Sequence, residues 1–321
     1  MLPPKDRMTI CFAHVAYRMQ DRFALRNTGI ASFEVRSREA LDARIAEADV
    51  LLCSGLWRNE LIGRAPRLRF VQSISAGVDQ YDTPALAAAG IRLASAQGVN
   101  ARAVAEHAMS LILALARRLP EARDNQAKRF WRGMLGELAQ REDELGGKTL
   151  LVVGLGRIGN RLAQLAKAFD MRVLATRRDP AAGGAADQVH GMEALNALLP
   201  QADFVALTCP LTAETERLIN AGTLALMRQG AALVNVARGR CVDEPALIAA
   251  LASGQLTAAA LDTTVEEPLP ATSPLWAMPN VFITPHTAGE TRRYEDNVLD
   301  ILLENLDRLW RGETTLRNQI V

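Results

Sequence analysis

The chain has 321 residues, 49% hydrophobic and 23% charged, with 37 Lys and Arg against 36 Asp and Glu. A length of this kind favours two domains, and a formal net charge of +1 leaves no electrostatic footprint for a polyanion, which speaks against nucleic acid as a partner. Cys11, Cys53, Cys209 and Cys241 are spread too widely for a disulfide framework or a metal site, and the apolar run 108–116 falls well short of the roughly 20 residues that cross a bilayer, so a soluble, cytoplasmic protein without a bound metal is expected.

Apolar runs at 9–13, 32–35, 50–54, 70–74 and 91–95 predict strands, with helical patterns between them. In 37–48 the apolar residues recur at helical spacing behind a capping Ser37. Strand alternating with helix predicts a parallel sheet covered on both faces. Residues 100–118 form a long helical pattern stopped by Pro120. It is apolar around most of its circumference, which predicts burial between domains or subunits. Residues 121–147 read as a polar connecting segment. A second alternation starts at Lys148, with strands expected at 149–153, 172–176, 203–208, 231–237, 257–262 and 281–284. Among the helices between them, 243–254 has a capping Asp243, Pro245 in its first turn and Gly254 at its end. A last helix at about 290–311 has the length to return toward the first half of the chain. Six strands in this order predict a doubly wound dinucleotide-binding fold.

The stretch "TLLVVGLGRIGNRLAQLAKAF" places Gly154, Gly156 and Gly159 as G-x-G-x-x-G between a buried strand and a helix. The glycines serve a tight turn, close backbone approach to a pyrophosphate, and helix–strand packing. Arg157 and Ile158 open the helix, whose N–H groups and positive end hold phosphate. About twenty residues further on, an acid that binds the ribose 2′-hydroxyl of NAD is expected. Thr176-Arg177-Arg178 stand there instead. Guanidinium groups suit a 2′-phosphate, so NADP(H) is favoured and NAD is the alternative. In the alternative, both arginines lie on a solvated turn and Asp179 supplies the acid slightly late.

Three further stretches fall at the C-terminal ends of strands, where ligands bind in such sheets. "VNVARGR" places Arg238, "LDTTVEEPLP" places Asp262 and Glu267, and "ITPHTAGET" places His286. One guanidinium, one carboxylate and one imidazole suit reduction of a 2-keto acid. Arg238 binds the carboxylate and polarises the carbonyl, His286 delivers a proton, and Glu267 orients the imidazole. His14, His107 and His190 are read as structural or merely exposed, Arg240 and Glu266 as solvated neighbours. Cys209 and Cys241 are read as small buried residues, not nucleophiles.

With these residues in hand, the chain resembles the D-isomer-specific 2-hydroxyacid dehydrogenase family from about residue 50 to 291. The stretches that carry the likeness are "SAGVDQYD" (75–82), "GVNARAVAEHAMSLILALAR" (98–117), "GKTLLVVGLGRIG" (147–159), "CPLTAETERLIN" (209–220), "NVARGRCVDEPAL" (235–247), "LDTTVEEPLP" (261–270) and "TPHTAGET" (284–291). The resemblance implies that Arg238, Glu267 and His286 form a catalytic triad and that the backbone around Ala76, Gly77 and Val78 grips the substrate carboxylate. It also implies a site in a cleft between a Rossmann cofactor domain and a smaller, flavodoxin-like substrate domain. The cofactor domain is expected at 100–289 and the discontinuous substrate domain at 1–99 plus 290–321. Asp262 matches the position that contacts the nicotinamide carboxamide, and Cys209, Pro210, Val236, Ala237 and Gly289 match positions lining the cofactor. The helix at 100–118 resembles the family's dimerisation element, which implies a homodimer.

Two departures stand out: Thr263-Thr264 where the family commonly has Val-Phe, and Thr-Arg-Arg in place of the acid. The second is similar to the NADPH-preferring glyoxylate and hydroxypyruvate reductases of the family. The expectation is an oxidoreductase that reduces a small 2-keto acid to the D-2-hydroxy acid. Two alternatives stay open: a dinucleotide-sensing, corepressor-like module, and an NAD-dependent phosphite- or formate-type oxidation on the same scaffold. The substrate side chain is expected to be read near "SGLWRNE" (54–60), by Leu56 or by Trp57, which is equally suited to packing.

Overall fold

Both stretches of alternating strand and helix fold into parallel sheets in a computed structural model that describes residues 2–321. The chain divides into two units, one running to Asn100 and resuming over Thr291–Val321, the other spanning Ala101–Glu290.

In the first unit the chain runs β1 (Thr9–Ala13), α1 (Met19–Ala24), β2 (Ala31–Val35), α2 (Arg38–Arg44), β3 (Val50–Cys53), β4 (Phe70–Ser73), α3 (Thr83–Ala88) and β5 (Arg92–Ala94). The strands pair in parallel in the order β2-β1-β3-β4-β5, the flavodoxin arrangement. β3 and β4 are buried along their whole length, as strands covered on both faces must be. Ser37 caps α2, its side chain accepting the Ala40 N–H at 3.2 Å. The unit is completed from the other end of the chain by α10, Tyr294–Trp310. Val298, Leu299, Leu302 and Leu306 of that helix join Ile10, Phe12 and Phe70 in one apolar cluster.

The second unit runs α4 (Ala101–Ala116), α5 (Leu119–Ala127), β6 (Thr149–Val153), α6 (Arg157–Lys167), β7 (Arg172–Thr176), β8 (Gln188–His190), α7 (Leu195–Leu198), β9 (Phe204–Leu207), α8 (Ala221–Leu226), β10 (Ala231–Asn235), α9 (Glu244–Ala252), β11 (Leu256–Leu261) and β12 (Val281–Ile283). Its sheet is ordered β12-β11-β10-β9-β6-β7-β8. This is the dinucleotide-fold order, with the direction of winding reversing between β6 and β9. All strands of both sheets pair in parallel.

Two elements differ from the sequence expectation. Among the described residues the second sheet has seven strands and not six, because Gln188–His190 adds β8 at the edge. The strand spans three residues and none is fully buried, so no apolar run announces it. The segment expected to be irregular after Pro120 starts with the helix α5. Arg118 takes a left-handed conformation, φ 50°, that ends the preceding helical pattern. Pro120 then sits in the first turn of the new helix, where a missing N–H costs nothing. α5 buries no side chain, so hydrophobic periodicity cannot reveal it. The apolar girth of α4 is largely used within its own unit, against α6, β10 and β11. Only a stripe at Arg102, Glu106 and Ser110 is fully exposed, which accounts for most of the burial expected of that helix.

Candidate active site

The glycine loop follows β6. Gly154 has φ +102°, and a Cβ there would lie 2.6 Å from Cys209 Cα. A Cβ on Gly159 would lie 2.5 Å from the Gly154 carbonyl oxygen. The first glycine therefore makes a left-handed turn against a neighbouring backbone, and the third lets α6 close onto the loop. Gly156 is exposed, and a Cβ on it would meet nothing within 4 Å, so its face opens onto free space. α6 begins at Arg157 with no acidic residue in its first turn, leaving the positive helix end uncancelled. A turn, an open face and a helix N-terminus together fit the pyrophosphate of a dinucleotide.

At the end of β7, Thr176 is fully buried, with its hydroxyl unpaired. Its carbonyl accepts the Gly154 N–H at 3.0 Å and the Leu155 N–H at 2.8 Å, so Thr176 serves by holding the glycine loop and does not present its side chain. Asp179, the acid that stands slightly late, is engaged locally. Its side chain accepts the Ala181 N–H at 3.1 Å and caps a short turn. The Arg177 guanidinium donates to the Gly183 carbonyl, while Arg178 is exposed. Cys209, Val236 and Ala237 are buried beside these loops, and Pro210 is exposed.

Past β10, Asn235 is buried and folds the backbone into the loop that carries Arg238. Its Nδ2 donates to the Arg238 carbonyl at 3.0 Å, and its Oδ1 accepts the Ala237 N–H at 3.0 Å. Arg238 is exposed, and its Nη1 donates to the Ala237 carbonyl at 2.7 Å. Next to it, Gly239 lies directly on the loop after β11, where a Cβ would come within 1.9 Å of the Thr264 carbonyl carbon and oxygen. That second loop carries Glu267. The Thr264 N–H donates to Glu267 Oε1 at 3.1 Å, and the Thr264 hydroxyl to the Glu266 carbonyl at 2.7 Å. Thr263 is buried with an unpaired hydroxyl, a cost that an apolar side chain would not carry.

Glu267 Oε2 and His286 Nδ1 are 2.7 Å apart, both side chains partly open to solvent. The carboxylate is thus held at both oxygens, and the imidazole is oriented with Nε2 turned away. His286 has φ +55°, a left-handed conformation worth of order 1–3 kcal/mol of strain in a non-glycine residue and found at sites that over-determine it. Arg238 makes no ion pair with either partner among the described residues; it reaches them through Gly239 and the Thr264 backbone.

Asp262, at the end of β11, is 2% exposed. Oδ1 accepts the Thr284 hydroxyl at 2.6 Å and the Thr287 N–H at 3.0 Å, and Oδ2 accepts the Ala288 N–H at 3.1 Å. The carboxylate therefore holds the loop that carries His286. His107 belongs to the same group: its Nε2 lies 3.0 Å from Thr284 Oγ1 and 3.5 Å from Asp262 Oδ1. His14 instead accepts two backbone N–H groups through Nδ1 and stacks on Tyr17, and burial pulls its pKa down. His190 sits on the edge strand near Gln188. Cys209 and Cys241 are buried, and the hydrogen bond with Cys241 together with burial pushes the Cys209 thiol up.

Sequence reasoning missed Asn235, Gly239 and Thr284; His107, read as structural, lies inside α4 with its Nε2 on Thr284. Asn235 and Thr284 do carry a signal, since each is a polar residue ending an apolar strand next to a proposed catalytic loop. In the first unit, Ala76 is exposed and Gly77 and Val78 half-buried in the loop after β4. The Ser54 and Ser75 hydroxyls lie 2.5 Å apart behind it, and Gln80 donates to Ser54 at 3.1 Å. Trp57 is a packing residue: it is 4% exposed, lies against Tyr81, and donates from Nε1 to Asn59 at 2.9 Å. Leu56 is buried as well. A cavity of about 510 Å³ opens at the other end of the second sheet, beside Ala231, Ala258 and Asn280. Its Arg228 and Lys148 are paired with Asp203 and Asp143, so it offers a small acid little.

The family model for the NAD binding domain of D-isomer specific 2-hydroxyacid dehydrogenases matches residues 109–288. The chain is 38% identical over 281 residues to the glyoxylate reductase of Aeropyrum pernix, covering 86% of this chain and 84% of that protein. It is 35% identical over 312 residues to glyoxylate/hydroxypyruvate reductase B of Yersinia enterocolitica, covering 94% and 93%. The crystal structure of the TT0316 protein from Thermus thermophilus superposes with a TM-score of 0.84 at 36% identity, covering 98% of this chain and all of that one.

Proposed function

The chain belongs to the D-isomer specific 2-hydroxyacid dehydrogenase family and is an NAD(P)-dependent oxidoreductase; from that premise we propose that it reduces a small 2-keto acid, glyoxylate or hydroxypyruvate, to the D-2-hydroxy acid with NADPH favoured over NADH. The observation that carries the reading is the 2.7 Å contact between Glu267 and His286 Nδ1, which frees Nε2 for proton delivery. The Gly154–Gly159 loop, with Val236, Ala237 and Gly289, would hold the dinucleotide, which would supply hydride to the carbonyl carbon. Protonated His286 gives its Nε2 proton to the carbonyl oxygen, which takes up the π pair. Glu267 stabilises the imidazolium during this exchange. Arg238 binds the carboxylate and polarises the carbonyl.

NADPH is favoured because the one acid near the end of β7, Asp179, is occupied by the Ala181 N–H, while Arg178 stands exposed beside it. The test is kcat/KM for NADPH and NADH with glyoxylate, hydroxypyruvate and bulkier keto acids, in the wild type and in Arg177→Ala/Arg178→Ala. A charged hydrogen bond contributes about 1.5–3 kcal/mol, so KM for NADPH is expected to rise about 10- to 100-fold with that for NADH nearly constant. An equal rise for both cofactors overturns the preference, and no turnover of any keto acid by the wild type overturns the reaction.

The same reading includes a homodimer formed through the α4 region. It is supported by the segment after α5, where Phe130, Trp131, Met134 and Leu138 are exposed, Trp131 to 95%. Apolar surface concentrated in one segment is characteristic of an interface. Trp131→Glu/Met134→Glu is expected to shift the mass measured by light scattering from two chains to one. A wild-type mass of one chain removes the proposal.

A further inference from the structure

A left-handed histidine persists only where its surroundings hold it, and the anchors of the His286 loop converge on one point. On the N-terminal side, the Thr284 N–H donates to the Leu261 carbonyl at 2.9 Å and the Thr284 hydroxyl to Asp262 Oδ1 at 2.6 Å. On the C-terminal side, the Thr287 and Ala288 N–H groups donate to the two oxygens of that carboxylate. Asp262 thus closes a ring around Pro285 and His286. Two backbone donors and a hydroxyl are aimed at it, so it acts as the acceptor.

Donor bookkeeping then fixes the far end. Thr284 has one hydroxyl proton, and it points to Asp262. The Thr284 oxygen can therefore only accept from His107, 3.0 Å away, which requires the His107 proton on Nε2. The chain of bonds runs His107 Nε2–H to Thr284 Oγ1–H to Asp262. Hydrogen bonds in such a series polarise one another. His107 lies in the middle of α4, a helix packed on the sheet, so it ties the start of the loop to a rigid element.

We propose that His107 is a positioning residue for His286: through Thr284 and Asp262 it clamps the 284–288 loop in the conformation that presents the imidazole. The proposal rests on the reading of His286 as the proton donor, but the clamp itself is measurable without any substrate. Amide hydrogen exchange of residues 284–290 is compared in the wild type, His107→Leu and His107→Gln. The glutamine amide nitrogen can replace Nε2 as the donor to Thr284. Exchange in His107→Leu is expected to quicken about threefold to tenfold at Thr287 and Ala288, the worth of one neutral hydrogen bond, and to return toward wild type in His107→Gln. In turnover, kcat is expected to fall about tenfold, with the dissociation constant of NADPH, read by nucleotide fluorescence, changed less than about twofold.

In the His286→Ala background, adding His107→Leu is expected to cost nothing more, because the two act as one unit. Unchanged exchange in His107→Leu overturns the clamp, and so does an additive loss in the double variant. Should His107→Leu not fold, Thr284→Val cuts the same chain and is judged by the same two criteria. Altered exchange in a protein that turns over no keto acid sustains the clamp and overturns the reaction assigned above.

Discussion

Replacing His286 with alanine is expected to lower kcat by about 10²- to 10⁴-fold, the range typical of losing a positioned general acid. The dissociation constant for NADPH, measured by fluorescence titration, is expected to stay within about twofold, since a group acting only in the transition state adds little to ground-state binding. The structure makes the substitution clean. Glu267 stays held by the Thr264 N–H, and the loop stays anchored at Thr287 and Ala288 by Asp262. Alanine at a left-handed position adds strain of its own, so the melting temperature is recorded alongside. A variant with unaltered kcat removes the mechanism.

The second large effect is expected at Gly239. A Cβ there would meet the Thr264 carbonyl carbon and oxygen at 1.9 Å and the Val265 nitrogen at 2.5 Å. Those are main-chain atoms that cannot rotate away, so the Arg238 loop and the Glu267 loop have to part. Overpacking of this kind costs about 1–3 kcal/mol, and Gly239→Ala is expected to melt about 3–10 °C lower. Because the strained contact joins the loops of Arg238 and Glu267, activity is expected to fall further than stability, by about 100-fold in kcat/KM, as misplacement of catalytic groups by about 1 Å does. Gly156→Ala is the control: its Cβ meets nothing within 4 Å, and its melting temperature is expected to match the wild type. Equal melting of Gly239→Ala and the wild type would contradict the packing argument.

Much of the architecture was legible in the residue pattern because buried parallel strands leave unbroken apolar runs. The runs at 149–153 and 172–176 coincide with β6 and β7. The glycines were legible because their chemistry is local: Gly154 must turn left-handed and Gly159 must let a helix close on a strand. What escaped was whatever depends on neighbours far along the chain. Nothing near Gly239 hints that its missing side chain makes room for Thr264. His107 reads as one more residue of a helical pattern until Thr284, from the other end of the same unit, arrives 3.0 Å away. β8 and α5 escaped for a simpler reason, since neither has a fully buried residue. At the arginine pair the sequence left two readings open. The geometry separates the three side chains by task, with Asp179 capping a turn, Arg177 bonded to Gly183, and Arg178 exposed.

The interrupted first unit has a consequence for how the protein is made. Its sheet is synthesised early, but its apolar cluster needs Val298, Leu299, Leu302 and Leu306. The buried amide of Gln72 likewise waits for Asn305 Nδ2, 3.1 Å away. The edge strand β5 is bonded by the last residues, with the Ile320 N–H donating to Leu93 at 2.8 Å and the Ser95 N–H to Asn318 at 2.9 Å. The second unit draws all its strands from one continuous segment. On the ribosome, where domains generally fold as they emerge, the usual order is therefore expected to be reversed: the later-made unit is complete first, and the N-terminal sheet waits until residues 298–320 have emerged.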